Sequence, residues 1–483
     1  MLVRELRRLI LFLFPLFLLL YAAIRCFDNQ SLVSYYSVRN WVEHVVSTSQ
    51  ISAKNDEQHI ITGQDDYREI DNSKGSNVPS EALPDLDYDS SNISASEPST
   101  SDSEDTHLKL YSVSTLDGKF FSIKFGDKPT INPNIIPHPF LEDTWTIVAQ
   151  QWNLGDTLPT QFVELACDAT FNENNTELGC IFPPVPLPIA ATGLGKCAGE
   201  LEYANLNVGP HDARVFHGPG VPFTVYGSNS RETCFGQWMQ DFGALVDWKS
   251  GYGLGDIDVN AQEQEKETSF RLGTELHRPL PYSPVEKNWF IFWDPDGQMY
   301  AHYDIAPRRV FAELGADGSA GPDLAPLAAT AGDGRCMARH MPELGPENAS
   351  IHQATNSLSV TMCRRSDPGC SPDDANTFLF TIFQHKTFVE FHSVYEPYVM
   401  VFRRRAPFQV YGISQRPLWI HGRSARSHML YVTSVSWRTR GQRYHGYLDD
   451  VLFLGFGVED RETAGIDILA SDLLAGLGLC AEM

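Results

Sequence analysis

The stretch Gly209–Ser230, GPHDARVFHGPGVPFTVYGSNS, places an aspartate and an arginine two residues apart at the start of an apolar run. A Gly-Pro turn precedes Asp212 and Arg214, and the β-branched and aromatic run Pro222–Tyr226 predicts a strand that Gly-Ser-Asn closes. Side chains at i and i+2 of an extended segment project to the same side. Asp212 would then meet a sugar hydroxyl while Arg214 orients it. The alternative is an ion pair in a surface turn.

Two further stretches put polar groups directly ahead of a predicted strand. The segment Glu286–Asn288 precedes the apolar run WFIFW, where it would face a ligand phosphate or hydroxyls, or only form a solvated turn. The segment Tyr444–Asp450, YHGYLDD, precedes VLFLGFG. Its adjacent aspartates repel each other, so one of them is expected to have a raised pKa or a cationic partner, and a solvent-facing turn is the alternative. The candidate binding residues in these stretches are Lys287, Asn288, His445, Asp449 and Asp450.

The most specific metal and nucleotide motifs are absent from the sequence. It contains no HExxH, Walker A loop, GxSxG, or GxGxxG followed by an acid. DxD pairs, which hold a divalent ion in many nucleotide-sugar enzymes, occur at Asp256/Asp258 and Asp294/Asp296, but this spacing is frequent by chance. We expect a metal-independent site without a cofactor, and a divalent cation stays the alternative. The net charge of −24 and the lack of a basic stripe predict no nucleic-acid partner.

From His107 to the end, short apolar runs alternate with Gly, Pro, Asn and Asp. Such a pattern is typical of an all-β sandwich, barrel or propeller, and the length exceeds one sandwich but suits five large propeller blades. Helices are predicted at Phe235–Leu245 and Ile468–Leu477, and a long loop at the Gly- and Ala-rich Ala312–Arg335. The predicted strands are Phe120–Phe125, Thr144–Ala149, Trp289–Trp293, Leu358–Cys363, Phe378–Phe383, Tyr398–Phe402, Leu430–Ser436 and Val451–Gly455.

The N-terminal part predicts a membrane anchor and a tether. Residues 1–8 are a cytosolic tail with arginines, and the uncharged run Leu9–Ile24 spans roughly 24 Å as a helix. The arginines orient the chain as a signal-anchored, type II membrane protein, and a cleaved signal peptide is the alternative. Residues 25–106 predict a stalk, largely an acidic, Ser-rich disordered linker, and residues 107–483 form the lumenal domain.

Cysteines and sequons fit an oxidising, secretory compartment. Eight cysteines follow the membrane-proximal Cys26, and Cys167/Cys180 and Cys363/Cys370 are close enough to be local disulfide pairs, although spacing does not fix the connectivity. Candidate glycosylation sites are Asn29, Asn92, Asn174 and Asn348.

Four stretches follow one another between Ile131 and Asp460: NPNIIPHPF, GPHDARVF, EKNW and YHGYLDD. Together they resemble motifs of the five-bladed β-propeller enzymes that act on β-mannosides, which include mannoside phosphorylases and fungal β-1,2-mannosyltransferases of the type II membrane class. GPHDARVF is similar to a G-x-E-D-P-R motif followed by an apolar residue. His211 stands where that motif has Glu and Ala213 where it has Pro, while the Asp and Arg are kept.

The resemblance implies an all-β, five-bladed β-propeller with its site at the axis. It implies a Golgi-type, lumenal glycosyltransferase that moves mannose from a nucleotide sugar to a glycan acceptor with inversion, with Asp212 as the catalytic acid/base. Sugar hydroxyls or the donor phosphate would contact Arg214, Lys287 and Asn288. The leaving group or acceptor would contact His445, Asp449 and Asp450.

Two other functions stay open on the same propeller. A glycoside hydrolase or phosphorylase is one, and a hydrolase would need a second carboxylate such as Asp449 or Glu396. A non-catalytic carbohydrate-binding propeller is the other, and the departures at His211 and Ala213 favour it.

Overall fold

The computed structural model describes residues 106–152, 160–193, 195–248, 269–345, 349–389 and 392–480. They belong to a compact unit that spans Thr106–Met483. The predicted tail, anchor and stalk lie outside the described residues, as do Asn29, Asn92, Asn348 and the Asp256/Asp258 pair. Across the described ranges, no helix has both the length and the apolar character needed to cross a membrane.

The described part of the chain is mostly β with few helices, as the sequence predicted. In chain order the strands are β1 (Leu108–Leu110), β2 (Phe121–Lys124), β3 (Thr130–Pro137), β4 (Trp145–Gln151), β5 (Thr160–Gln161), β6 (Glu164–Phe171), β7 (Glu177–Cys180), β8 (Val185–Pro186), β9 (Asn207–Val208), β10 (His211–His217), β11 (Pro222–Asn229), β12 (Phe235–Asp241), β13 (Thr274–Glu275), β14 (Phe290–Trp293), β15 (Met299–Asp304), β16 (Val310–Glu313), β17 (Ser350–Gln353), β18 (Leu358–Thr361), β19 (Thr377–Val389), β20 (His392–Arg403), β21 (Val410–Ser414), β22 (Leu418–Ile420), β23 (Leu430–Trp437), β24 (His445–Tyr447), β25 (Val451–Val458), β26 (Glu462–Leu469) and β27 (Leu477–Leu479). The α-helices are α1 (Ala325–Thr330), α2 (Asp333–His340) and α3 (Ala470–Leu473), and 3-10 turns span Gly199–Leu206 and Phe242–Ala244.

Most strands pair antiparallel with their neighbours in sequence. One sheet has the order β10-β11-β12-β13, and the next has β14-β15-β16. A larger sheet runs β24-β18-β19-β20-β21-β27, with β17 also paired to β19. The largest runs β23-β25-β26-β2-β7-β6-β4-β3, with β8 on β6. Two short parallel pairs, β1-β22 and β5-β9, form separate two-stranded sheets.

The largest sheet joins the beginning of the described chain to its end. Strand β2 pairs antiparallel with β26, with Phe121 opposite Gly465, and parallel with β7, with Ile123 opposite Leu178. Because β2 is paired along both of its edges, the sheet has no open edge where strands from the start of the described chain meet strands from its end.

Side chains link strands that begin different sheets. Asn134 on β3 donates from Nδ2 to the Ala213 carbonyl at 2.8 Å and accepts from the Val215 amide at 3.0 Å. Asn356 repeats this arrangement with Val435 on β23, donating to its carbonyl at 2.9 Å and accepting from its amide at 3.1 Å. These amide side chains satisfy buried backbone groups that no sheet neighbour reaches.

Two hydroxyl groups extend the same contacts. Ser357 donates to the Ile291 carbonyl of β14 at 2.7 Å, and Thr433 of β23 donates to the Pro133 carbonyl of β3 at 2.7 Å. The first strands of successive meanders therefore converge, and residues at their ends are brought together although they are far apart in sequence.

The strand predictions are confirmed, whereas the helix and loop predictions are partly wrong. Phe235–Leu245 holds strand β12 and a short 3-10 turn, because β12 pairs with both β11 and β13 and buries most of its residues. Ile468–Leu477 begins inside β26 and holds only the single turn α3. Ala312–Arg335 contains α1 and the start of α2.

All eight cysteines of the described chain form disulfides. The two local pairs are confirmed, and the sequence left the other two undetermined. The pairs are Cys167–Cys180, Cys197–Cys234, Cys336–Cys480 and Cys363–Cys370. The sequon asparagine Asn174 is exposed.

Candidate functional site

Asp212 is an exposed residue in a strained position at the start of β10. The register of β10 against β11 shifts between His211 and Arg214, and Asp212 has a φ of 50°. Asn132 donates from Nδ2 to Asp212 Oδ1 at 2.6 Å, and Gln150 Oε1 accepts the Asp212 amide at 2.9 Å. A left-handed aspartate that its neighbours hold in place is a feature that clusters at functional sites.

Arg214 does not form the ion pair that was the alternative interpretation of this stretch. It is buried, and it donates from Nη1 to the Asp212 backbone carbonyl at 2.9 Å and from Nε to the Ala354 carbonyl at 3.2 Å. The register shift and the left-handed Asp212 interrupt the regular two-residue alternation on which the expectation of a shared side rests. The Arg214 guanidinium holds the Asp212 backbone carbonyl, and Asp212 is exposed.

Glu164, which the sequence did not indicate, lies buried under this turn. Its Oε1 accepts the Ala213 amide at 3.1 Å, and it sits opposite Gln150 in the β4–β6 register. Gln150 and Glu164, which are neighbours across β4 and β6, therefore accept hydrogen bonds from the consecutive amides of Asp212 and Ala213. Burial raises the pKa of Glu164 to about 8, and the nearby Asp212 carboxylate adds to the rise while the Ala213 amide and Arg214 oppose it. Glu164 is thus protonated at neutral pH.

His211 and His352 both lie within the electrostatic reach of Lys287. Burial lowers the pKa of His211 to about 4, against the influence of Asp212 and with that of Lys287. Burial also lowers the pKa of His352 to about 3, and Lys287 and Lys386 contribute. Both imidazoles are therefore neutral at pH 7, and the positive charge near Asp212 resides on Arg214 and Lys287.

Tyr431, on strand β23, also lies close enough to Asp212 and Arg214 to feel their charges. Burial raises the pKa of Tyr431 to about 12, and the charges of Arg214 and Asp212 act on it in opposite directions. Its ring meets the Tyr395 ring edge-on at 4.8 Å between centroids, and the buried Lys386 lies 5.7 Å from the Tyr395 centroid. The phenol stays protonated at neutral pH, and its oxygen accepts a hydrogen bond from the Arg214 side chain.

Several buried polar atoms next to Asp212 have no hydrogen-bond partner among the described residues. They are Asn132 Oδ1, Glu164 Oε2 and His211 Nε2. Buried polar atoms are nearly always paired in folded proteins, so a group of orphaned ones calls for an explanation such as a bound polar ligand. A ligand rich in hydroxyl groups would supply both donors and acceptors to this cluster.

The structure gives the two candidate residues of segment 286–288, Lys287 and Asn288, different surroundings. Lys287 is exposed and acts electrostatically on His211 and His352, so it lies near Asp212. Asn288 has a φ of 62°, and its carbonyl accepts from Gln353 Nε2 at 3.1 Å. Asn132, Asp212 and Asn288 are therefore left-handed residues in or just before the first strands of three meanders.

Glu286 turns away from this group. It is buried and pairs with Arg278 at 2.8 Å.

His445, Asp449 and Asp450 lie at the other end of the converging strands. They follow β23, and their neighbour Arg443 donates to the carbonyl of Gly220, which follows β10. Asp212 lies at the start of β10, so a strand of this length separates the two groups by roughly 20 Å at about 3.3 Å per residue. The structure brings Asp212, Arg214 and Lys287 together but not these three, because VLFLGFG is the second strand of its meander and runs back from the far end.

The two aspartates hold a loop at that far end. Asp449 accepts the amides of Arg365 and Ser366 at 2.6 and 3.1 Å. Burial would raise the pKa of Asp449, but these amide contacts outweigh it and lower the pKa. Asp450 pairs with the Arg365 guanidinium at 2.7 Å, which is the cationic partner that the sequence led us to expect for one of them.

Metal ligation has no candidate in the described part of the chain. No group of three or more His, Cys, Asp or Glu side chains there is arranged to hold an ion. In the Asp294/Asp296 pair, Asp294 Oδ1 accepts the Asp296 and Gln298 amides at 2.9 Å each, and Asp296 pairs with Arg405 at 2.9 Å. These contacts make the pair part of the β14–β15 turn.

The alternative carboxylate Glu396 is also engaged elsewhere. It is buried and pairs with His107 at 2.7 Å and with Arg423 at 3.4 Å. Glu164 is the carboxyl group that lies next to Asp212.

Comparisons with known proteins give structural likeness only. No family model and no curated protein matches the chain. Among solved structures, β-1,2-mannobiose phosphorylase from Listeria innocua matches with a TM-score of 0.39 at 11% identity, over 76% of this chain and 96% of that one.

Two further solved structures match with similar TM-scores and identities. A GDP-Man-dependent mannosyltransferase from Leishmania mexicana matches with a TM-score of 0.36 at 10% identity, over 75% of this chain and 92% of that one. An α-L-arabinofuranosidase from Lactobacillus brevis matches with a TM-score of 0.37 at 11% identity, over 70% and 90%. At TM-scores below 0.5, these likenesses carry no argument about what this chain does.

Proposed function

We propose that this chain is a carbohydrate-active enzyme that transfers a glycosyl group with Asp212 as its general acid/base. The observation that carries the proposal is the Asp212 carboxylate itself, exposed on a left-handed residue and fixed by Asn132 among buried polar atoms without partners. Sugar hydroxyls are the ligand groups that suit such a mixture of donors and acceptors. A positioned carboxylate of this kind can accept a hydroxyl proton during transfer.

The architecture behind this proposal is a five-bladed β-propeller. Five antiparallel meanders begin with β3, β10, β14, the interrupted β17–β18 and β23. Asn134, Asn356, Ser357 and Thr433 connect first strands of different meanders. In such a ring, residues at the starts of the first strands share one mouth of the axis.

The reaction we propose is an inverting transfer. The acceptor hydroxyl gives its proton to Asp212 as its oxygen forms a bond to the anomeric carbon. The bond from that carbon to the donor phosphate breaks, and the phosphate leaves with the electron pair. Lys287, which acts electrostatically on the neighbouring His211, and Arg214, which contacts the Asp212 carbonyl, supply positive charge near Asp212, where a departing phosphate needs it.

The finer assignment follows from which carboxyl groups are accessible. Of the two neighbouring carboxyl groups only Asp212 is exposed and Glu164 is fully buried, so a transferase, which needs one accessible carboxyl group, fits better than a hydrolase, which needs two. We propose a mannosyl group, a nucleotide-sugar donor and a glycan acceptor, acting in the lumen of the Golgi. The disulfides agree with that compartment.

A phosphorylase is the second candidate, because the same cationic side chains, Lys287 and Arg214, would hold inorganic phosphate as the attacking group. Incubation of the full-length chain separates the candidates. Consumption of GDP-mannose with elongation of a mannoside acceptor supports the transferase. Release of mannose 1-phosphate from a β-mannoside in phosphate buffer supports the phosphorylase. Binding of mannosides without turnover of either donor would overturn the enzymatic proposal and leave a carbohydrate-binding propeller.

A further inference from the structure

A cavity of about 700 Å³ opens at the end of the first strands opposite Asp212. Its lining includes Trp293 at the end of β14, Pro219 after β10 and the 439–445 segment after β23. Arg404 at the end of β20 and Arg365 on a separate loop close its sides. This volume suits a small organic ligand, and nothing in the proposed transfer at Asp212 uses it.

The accessible charge of this cavity is positive in a chain whose net charge is −24. The arginines in its lining are Arg365, Arg404, Arg440 and Arg443, and its aspartates are Asp294 and Asp450.

Both aspartates already accept hydrogen bonds from nearby donors. Asp294 accepts the amides of the β14–β15 turn, and Asp450 accepts from Gln442 at 2.7 Å, the Tyr447 amide at 2.8 Å and Arg365. Their lone pairs therefore compete little for a ligand.

The guanidinium of Arg443 is the one best placed to bind an anion. Arg365 pairs with Asp450, Arg404 with Asp374 and Arg440 with Glu142. Arg443 is exposed and donates to the Gly220 carbonyl at 2.6 Å, and no described carboxylate pairs with it. A guanidinium bound only to a neutral carbonyl keeps its charge and most of its donors for a ligand.

The walls of the cavity are held in place before any ligand arrives. His445 contacts Ser359 Oγ at 3.0 Å through Nδ1 and Thr361 Oγ1 at 3.2 Å through Nε2. The Cys363–Cys370 disulfide closes the loop that carries Arg365. The Arg365 guanidinium lies 4.2 Å from the centroid of the Tyr447 ring. Such fixed side chains reduce the entropy that binding would cost.

We propose that this cavity binds a phosphate ester, with the phosphate on Arg443 and the organic part against Trp293. Guanidinium groups bind phosphate through paired hydrogen bonds, and an aromatic wall accepts the flat or apolar face of a sugar or base. The site is separate from the Asp212 group and does not rest on the proposed transfer.

The test measures binding to the full-length chain by titration calorimetry. The probes are mannose 1-phosphate, GDP, inorganic phosphate and unphosphorylated mannose. All titrations are made in a Lys287→Gln background, which removes the exposed lysine near Asp212. We expect mannose 1-phosphate or GDP to bind more tightly than mannose, and more weakly as salt is raised. The tighter of the two identifies the organic part as a sugar or a nucleotide.

Arg443→Gln should weaken that binding about tenfold, which is what one charge-assisted hydrogen bond contributes. Arg443 is exposed, so the substitution should leave the fold intact. Arg271→Gln removes another exposed arginine that does not line the cavity, and it should leave the affinity unchanged. Asp212→Asn should also bind normally, even where turnover is lost.

Equal binding of mannose and mannose 1-phosphate, or equal affinity in Arg443→Gln and the parent, overturns the proposal. Loss of binding in Asp212→Asn but not in Arg443→Gln also overturns it, since the phosphate would then sit at the other mouth.

Discussion

Replacing the buried Glu164 with glutamine should change how the stability of the protein depends on pH. Burial raises the pKa of Glu164 to about 8 from the ordinary 4.5 that an unfolded chain restores. The folded state therefore keeps a proton that the unfolded state releases above about pH 4.5. The stability due to this proton is fully present below pH 4.5 and is lost as the pH rises towards 8.

The magnitude follows from the width of that window. Each pH unit inside it is worth about 1.4 kcal/mol, so the contribution of Glu164 to the free energy of unfolding should fall by about 3 kcal/mol between pH 5 and pH 7, relative to Glu164→Gln. Glu164→Gln keeps an oxygen to accept the Ala213 amide but cannot titrate. Its stability should therefore lack this decline, and the variant should be the more stable protein at pH 7.

Urea unfolding followed by tryptophan fluorescence at pH 5, 6 and 7 measures the difference, because urea leaves electrostatic interactions unscreened. Glu173→Gln is the matched control, since Glu173 is an exposed glutamate outside the site. It should follow the parent profile. Parallel pH profiles for the parent and Glu164→Gln would refute the claim that Glu164 is buried as a neutral acid beneath Asp212.

Two further substitutions test the contacts between first strands and the packing at the far end. Asn134→Ala leaves a buried amide and a buried carbonyl of β10 without partners, and should lower the free energy of unfolding by about 3 kcal/mol in urea titrations. An effect below about 0.5 kcal/mol would mean that water or another group replaces this link. Gly446→Ala puts a methyl group inside contact distance of the buried Trp437 ring and should destabilise by about 1–3 kcal/mol, whereas Gly220→Ala meets no atom within 4 Å and should be neutral. Equal melting temperatures for these two glycine variants would contradict the packing described around Trp437.

The strands were predictable because the local signal and the tertiary environment agree. Runs such as Leu430–Ser436 combine β-branched and aromatic residues with flanking turn residues, and each became a strand. The helix prediction for Phe235–Leu245 was wrong because the Gly, Gln and Met residues of this segment do not exclude a helix. Pairing on both sides of β12 decides its conformation, and that pairing comes from segments distant in sequence.

The candidate site was predictable only where one segment carries its own signal. Asp212 stands out by its Gly-Pro turn and its place before a strand. Glu164 begins an ordinary strand, ELACDATF, and only the β4–β6 register and the bulge in β10 bring it beneath Asp212. His445 looked equivalent to Asp212, since both precede an apolar run. Their separation depends on strand direction, which the sequence of either stretch does not contain.

The turnover of Asp212→Asn tests the central claim most directly. Asparagine has the same size, tolerates the left-handed backbone and cannot accept a hydroxyl proton as a carboxylate does. Asp143→Asn is the matched control, because Asp143 is also exposed and left-handed, with a φ of 47°. With GDP-mannose and a mannoside acceptor, we predict that Asp212→Asn lowers turnover about 10²–10⁴-fold at an unchanged melting temperature, while Asp143→Asn keeps parental turnover. Near-parental turnover in Asp212→Asn would contradict the account, since no proton in the reaction would then depend on this carboxylate.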